Sequence, residues 1–341
     1  MLQALRRSLP AACVLVALGC SSTPATRVAQ PDAIEVRGES GPELVAGGAL
    51  YLLCIVGVVV GLVTLPIWLP VVLVCGGKLG FMPPPGRPFR KNGRPCLAPV
   101  RAGDEWFVEV KPDVSALSGT EREALSALWL TEARGEHASI AAFSQLSLDL
   151  IAVGAPPSLL EGTHKAALDE VVHARLCFAF ASAYAGTTLG PAAFPHARAA
   201  RAFTSRRSLS LAQEIARLAV ESLEDGCLDE GFSAAVAAEA RDGATDEAVK
   251  AALSVIARDE ARHEALAWAV VAWCVERGAA GAVLRAGEKL AQPSALAASI
   301  EGGRLSAERT RVLYAERRAA VVERARALCA AEATSSPSRG P

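Results

Sequence analysis

IARDEARHEALAW, residues 256–268, carries the word on which the fold turns: Asp259-Glu260-Ala261-Arg262-His263. The same D-E-x-x-H word stands ninety residues earlier, as Asp169-Glu170-Val171-Val172-His173 in ALDEVVHARLCFAFASAYAG, 167–186. Alanine and leucine surround both words and favour helix. Residues i and i+3 lie on one helix face, so each word aims a carboxylate and an imidazole at a common point. Two such pairs facing each other can hold two metal ions inside a four-helix bundle. The chain has five histidines, and two of them occupy matching places in these words.

Start and stop signals around the words divide the C-terminal two thirds into helices. Ser118-Gly119-Thr120-Glu121 has capping-box spacing. A first helix, 118–153, begins there and stops at Gly154, Pro156 and Pro157. A second spans 157–185 and ends at Gly186. A crossover bearing Gly, Pro and Arg, 186–206, leads to a third helix, 208–241. After a turn at Gly243 and Ala244 a fourth spans 245–277, with Thr245 as its N-cap, and closes at Gly278. Residues 279–292 make a small helix, and 306–333, dense in Arg and Glu, an outer one. The expected fold is all-α: two hairpins joined by one long crossover, the plan of a four-helix bundle, plus an extra C-terminal helix. This domain is placed at 116–334, with a disordered tail at 335–341.

A paired-metal site of this kind needs one more glutamate from each of the first and third helices. Glu136 shares a stripe with Leu125, Trp129, Ile140, Phe143 and Leu150. That stripe faces the core, where a lone carboxylate is costly unless a cation compensates it. Glu132, one turn earlier, is a supporting group or an alternative ligand. On the third helix a projection of about 100° per residue puts Glu221 on a wet face and Glu224 on a mixed one. Glu230 lies among Ala216, Ala219, Leu223, Cys227 and Ala234, an apolar stripe of small residues, and is preferred. Hairpin register alone favours Glu224. The expected ligands are Glu136, Glu170, His173, Glu230, Glu260 and His263. Carboxylate oxygen with imidazole nitrogen suits iron or manganese rather than a thiolate-seeking metal. Asp169 and Asp259 point about 100° away from the glutamates that follow them. Surface salt bridges are their first expected role, and bonds to a histidine the second. His137 and His164 are placed on helix surfaces, His196 in a loop and Tyr184 in the core.

The remainder of the chain points to a membrane. Arg6 and Arg7 precede the apolar stretch 11–18, and Gly19-Cys20-Ser21 follows, so residues 1–20 have the form of an export signal. Ala17-Leu18-Gly19-Cys20 is similar to a lipobox, which would lipidate Cys20. Residues 21–43 are a polar spacer. Residues 44–75 carry no charge and exceed the roughly 20 apolar residues that a spanning helix needs. The basic, Pro-rich linker 76–115 has Lys78, Arg87, Arg90, Lys91, Arg94 and Arg101 before any acid. Positive flanks stay on the cytoplasmic side, so a single inner-membrane span would leave the helical domain in the cytoplasm. Within the linker, 106–110 is expected to be a short extended piece. A net charge of -1 gives no reason to expect nucleic acid. The nine cysteines form no C-x-x-C pair, and Cys177, Cys227 and Cys274 are expected to be buried free thiols.

GEHASIAAF at 135–143, ALDEVVHARLCFAFASAYAG at 167–186, DGCLDEGF at 225–232 and IARDEARHEALAW at 256–268 resemble the ferritin-like di-iron carboxylate superfamily, and within it the rubrerythrin-related bacterial ferritin-like domain proteins. The resemblance covers about 118–277. It implies two iron ions, with manganese as the alternative, on the same six residues. It also implies a redox reaction with dioxygen or peroxide. The chain lacks the small four-cysteine iron domain of rubrerythrin, so an external electron donor is expected, and the membrane suggests a quinone. A homodimer is a further expected state. Iron handling without turnover and a metal-free structural bundle are the alternatives to an oxidoreductase, because a shared fold does not specify a reaction.

Overall fold

The computed structural model describes residues 86–91, 94–195, 209–291 and 304–335. The export signal with Cys20, the spacer, the apolar run 44–75, the start of the linker, His196 and the tail beyond 335 lie outside the described residues.

The described residues are mostly helical, in keeping with an all-α chain. Helix α1 is Gly119–Ala152. Its capping box forms as the spacing requires: Ser118 Oγ accepts from the Glu121 N–H at 3.3 Å, and Glu121 Oε2 accepts from the Ser118 N–H at 2.8 Å. Helix α2 is Pro157–Ala185 and ends on Gly186 at φ 70°, a left-handed cap that glycine adopts without strain. The third helical segment begins at a second capping box, Ser210 with Gln213, so α3 is Leu211–Glu221. It passes into a π-helix at Ser222–Glu230 and returns to α-helix as α4, Gly231–Gly243. Helix α5 is Glu247–Cys274. Its cap is Asp246 rather than Thr245: Asp246 Oδ1 accepts from the Val249 N–H at 3.0 Å, and a carboxylate also suits the positive end of the helix dipole. Residues Val275–Ala279 form a kink around Gly278 at φ 93°. Helices α6, Ala280–Ala291, and α7, Ala307–Ser335, follow.

Helix α1 packs along α2, and α5 packs along α4 and the π segment, while α2 also meets α5. Helix α7 lies against α6 and α4. The buried apolar side chains fall into two clusters. One contains Phe143, Leu150, Leu223, Trp268 and Val271. The other contains Trp129, Phe178, Phe180, Leu253 and Ile256, with Trp129 and Phe180 stacked at 4.3 Å. Along α1 the chain leaves the second cluster at Ala133 and enters the first at Phe143. Along α5 it leaves the second at Ala257 and enters the first at Ala267. A polar layer separates the two oily regions, and Glu136, Glu260 and His263 occupy it.

The described part of the linker is not a loose tether. Strands β1, Arg90–Lys91, and β2, Arg94–Pro95, form a small antiparallel pair. Strand β3, Val100–Ala102, pairs antiparallel with β4, Leu189–Pro191. The Phe89 N–H donates to the Ala138 carbonyl at 3.2 Å, and Arg134 Nε donates to that of Ala98 at 3.1 Å. The extended piece expected at 106–110 is not a strand. The pairing partner β4 lies opposite 100–102 instead, and Trp106 ends a turn with its ring against His137 and Phe178.

By length and composition Glu247–Leu290 could cross a membrane. Half of its most apolar window is buried inside the protein, and it carries Glu260 and His263, so it is an interior helix. Cys177, Cys227 and Cys274 are buried free thiols, as expected.

Candidate metal centre

Four helical segments deliver carboxylates to one buried layer. Glu136 comes from α1, Glu170 and His173 from α2, Glu230 from the last position of the π segment, and Glu260 and His263 from α5. None is more than 3% exposed. Their ligand atoms form two overlapping groups, each with all atoms within 4.8 Å of one another. Glu136, Glu170, His173 and Glu260 make one, and Glu170, Glu230, Glu260 and His263 make the other. Glu170 and Glu260 belong to both.

The histidines are turned the same way. His173 Nδ1 faces Glu260 at 3.4 Å and Glu136 and Glu170 at 3.7 Å. His263 Nδ1 faces Glu170 at 3.1 Å, Glu260 at 3.4 Å and Glu230 at 3.7 Å. The other ring nitrogen of each points away from the layer, to the aspartate of the opposite word. His173 Nε2 lies 3.4 Å from Asp259 Oδ2, and His263 Nε2 lies 3.4 Å from Asp169 Oδ2. Arg262 joins the two braces, with Nη2 at 2.9 Å from Asp169 and Nη1 at 2.7 Å from Asp259. The edge of Phe143 closes on His263 with ring centroids 5.1 Å apart.

Charge is unevenly shared. Burial, and after it the neighbouring carboxylate of Glu170, pushes Glu136 well above the usual carboxylate range. Burial and then Glu260 do the same to Glu230. Burial also opposes charge on Glu260, but the facing carboxyl of Glu230 and the imidazoles of His173 and His263 outweigh it and hold this carboxyl well below its ordinary value. Burial alone would depress both imidazoles. Asp259, Glu136, Glu170 and Glu260 around His173, and Asp169, Glu170, Glu230 and Glu260 around His263, raise them instead.

Among the described residues these groups lack hydrogen-bond partners. Both oxygens of Glu170, Glu230 and Glu260, Oε2 of Glu136 and Nδ1 of both histidines are buried without a hydrogen bond. Unpaired carboxylates in an apolar interior cost several kcal/mol each unless a cation offsets them. The open atoms are oxygen and neutral-capable nitrogen, all directed inward, and this donor set fits a metal ion. The Nε2–Asp contacts are the outer support that orients a ligating histidine.

The structure thus brings together all six side chains singled out in the sequence. It does not bring Glu224, which lines a surface cavity, or Glu132, whose carboxylate is held by Arg304 at 3.0 Å from Nε. Asp169 and Asp259 do both things weighed for them, pairing with arginine and with histidine. His137 packs its ring against Trp106 at 5.0 Å, His164 meets Ser147 at 3.0 Å, and Tyr184 is buried. Sequence reasoning passed over Arg262 and the π segment. Asp at the same place in both words was the available sign of a shared brace; nothing in the periodicity marks the π turn. No family model, curated protein or solved structure matches this chain at a significant level.

Proposed function

We propose that the chain is a membrane-anchored ferritin-like di-iron protein, an oxidoreductase acting with dioxygen or peroxide at ions held by Glu136, Glu170, His173, Glu230, Glu260 and His263. One observation carries the reading: two four-residue ligand groups share Glu170 and Glu260, and their inward atoms make no hydrogen bond among the described residues. A helical fold with one glutamate from each of two segments, and a Glu-x-x-His pair from each of two others, is the di-iron carboxylate pattern.

When bound, a redox-active metal pair supplies the electrons for reduction of dioxygen or peroxide. The residues do the rest. Glu170 and Glu260, common to both ligand groups, would hold both ions, and Glu136 and Glu230 would each hold one. Asp169 and Asp259 hold the proton on Nε2 of the histidines, which leaves each Nδ1 lone pair for the centre. Phe143 and the two apolar clusters keep bulk water out, which strengthens every charge interaction inside. Iron is the proposed metal, and manganese suits the same donors. The span at 44–75 would place the domain at the cytoplasmic face of a bacterial inner membrane, with a quinone in its reduced, quinol form as donor and Cys20 lipidated outside. A second copy of the chain is the other proposed partner.

Purification of the full chain in detergent after growth with ample iron tests this. The expected result is about two ions per chain and repeated consumption of peroxide or dioxygen under a supply of reductant. Metal content near zero would end the reading, and oxidation that stops once the site is filled would identify an iron-handling protein instead.

A further inference from the structure

A cavity of about 330 Å³ opens between α1 and the π segment, within the range of roughly 300–1,000 Å³ that small-molecule sites occupy. Arg87, Pro88 and Phe89 form one side of it, and Ala142 and Leu146 of α1 another. Several acids also line it, but most already have a cation. Arg217 holds Asp149 at 3.1 Å and Glu221 at 2.5 Å, and Arg90 holds Asp225 at 3.3 Å. Arg87 is different. It is 5% exposed, and among the described residues it makes no hydrogen bond and no ion pair. Its guanidinium carbon lies 5.8 Å from the centroid of Phe143, and its Nη1 would be 3.2 Å from a Cβ at Gly226. Its guanidinium lines the cavity and meets no acceptor there among the described residues, so its fork of N–H donors is free to take one from a bound molecule.

We propose that this cavity binds a small monocarboxylate, its carboxylate on Arg87 and its short hydrocarbon body against Pro88, Phe89, Ala142 and Leu146, as the substrate class of the neighbouring metal centre. The planar fork of arginine matches a carboxylate with two parallel hydrogen bonds. The acids nearby disfavour a dianion such as phosphate, and the apolar wall favours a hydrocarbon body. Proximity links the cavity to the centre: the Phe143 ring meets both Arg87, whose guanidinium carbon is 5.8 Å from its centroid, and His263, whose ring centroid is 5.1 Å away. The binding claim stands on the cavity alone; the substrate role rests on the redox reading above.

Calorimetric titration of the full chain, stripped of metal by a chelator, tests the binding. Hexanoate is the probe and inorganic phosphate its control. Hexanoate should saturate one site and phosphate should not. Arg87→Gln should weaken hexanoate at least tenfold, with Arg87→Lys between the two, because an ammonium keeps the charge and loses the fork. Ala142→Leu fills the cavity from the α1 side with Arg87 intact, and should weaken binding as much while the far-UV dichroism stays that of the wild type. The proposal is overturned by absent hexanoate saturation, by tighter phosphate binding, or by undiminished binding in both Arg87→Gln and Ala142→Leu. In the metal-loaded protein, hexanoate should shift the visible absorption of the centre in the wild type and not in Arg87→Gln. A wild type that binds hexanoate but takes up no metal would sink the redox reading and leave the carboxylate site standing. Metal uptake without hexanoate binding would do the reverse.

Discussion

Asp169 and His263 meet across the centre: the carboxylate on α2 lies 3.4 Å from Nε2 of the imidazole on α5. Asp259 on α5 does the same for His173 on α2, at the same distance. Each imidazole is therefore aimed by the opposite helix, and Arg262 ties the two aspartates together. Asp169→Asn and Asp259→Asn should each lower metal affinity by roughly 10–100-fold, the usual effect of losing such support. Competition against a chelator of known affinity measures this. Arg262→Ala should act in the same direction and less strongly, since it removes a brace on the aspartates and not the aspartates themselves.

The two ligand groups overlap at Glu170 and Glu260, so substitutions there should differ in stoichiometry from those at the ends. Glu260→Ala and Glu170→Ala should abolish both ions. Glu136→Ala and Glu230→Ala should leave about half of the metal, because only one group loses a donor. Metal quantification per chain, with helical content checked by dichroism, distinguishes the two classes. Equal loss in all four would contradict the shared arrangement.

Metal should stabilise the fold, and its ligands should weaken the stripped protein. Filling a site at a hundred times its Kd adds about 2.7 kcal/mol, seen as a rise in the melting temperature. Glu136→Gln and Glu230→Gln replace burdened carboxyls by neutral isosteres, and should raise the melting temperature of the stripped chain while weakening its metal uptake.

Acidity should move the two forms in opposite directions. Burial lifts Glu136 and Glu230 above the carboxylate range, and the surrounding carboxylates lift His173 and His263. The folded, stripped protein thus binds more protons than the unfolded chain, and its stability falls as pH rises above about 4.5 through these groups. Glu260 and Asp259 are held low and contribute the other way, their share being lost only in stronger acid. The stripped protein should therefore melt higher at pH 5 than at pH 8. Metal uptake must expel these protons, so affinity should rise with pH and binding should acidify a weakly buffered solution. Melting curves and a pH indicator record both.

Gly226 lets the π segment approach α5: a Cβ there would collide with that of Ala267. Gly226→Ala should cost about 1–3 kcal/mol of stability through overpacking. It should also reduce occupancy of the group containing Glu230, which lies one turn further on. Thermal melting and metal content read the two effects separately.

Much of this was legible from the chain because it rests on local rules. Ser118 with Glu121, Pro157 and Gly186 mark helix ends by their own chemistry, and the structure ends helices at those places. Glu136 and Glu230 betray themselves as charges on apolar stripes. What escaped has non-local causes. The π turn at Ser222–Glu230 depends on how the segment sits against α5, and no residue type announces it. The packing of 86–115 depends on β4 and on acids more than a hundred residues away, notably Asp225 and Asp229 for Arg90. Composition there suggested only a basic, Pro-rich linker, because composition does not show what a chain packs against. Thr245 was expected as the cap, but it is Asp246, one residue on, whose side-chain oxygen sits over the Val249 N–H.

The crossed pairing of aspartate and histidine has a consequence for how such a chain can be divided. Neither hairpin carries the means to orient its own imidazole, so a chain cut within 196–208 should yield two pieces that are separately inert and jointly competent. Because the words D-E-x-x-H are interchangeable in this respect, a single hairpin could regain the arrangement only by meeting its twin.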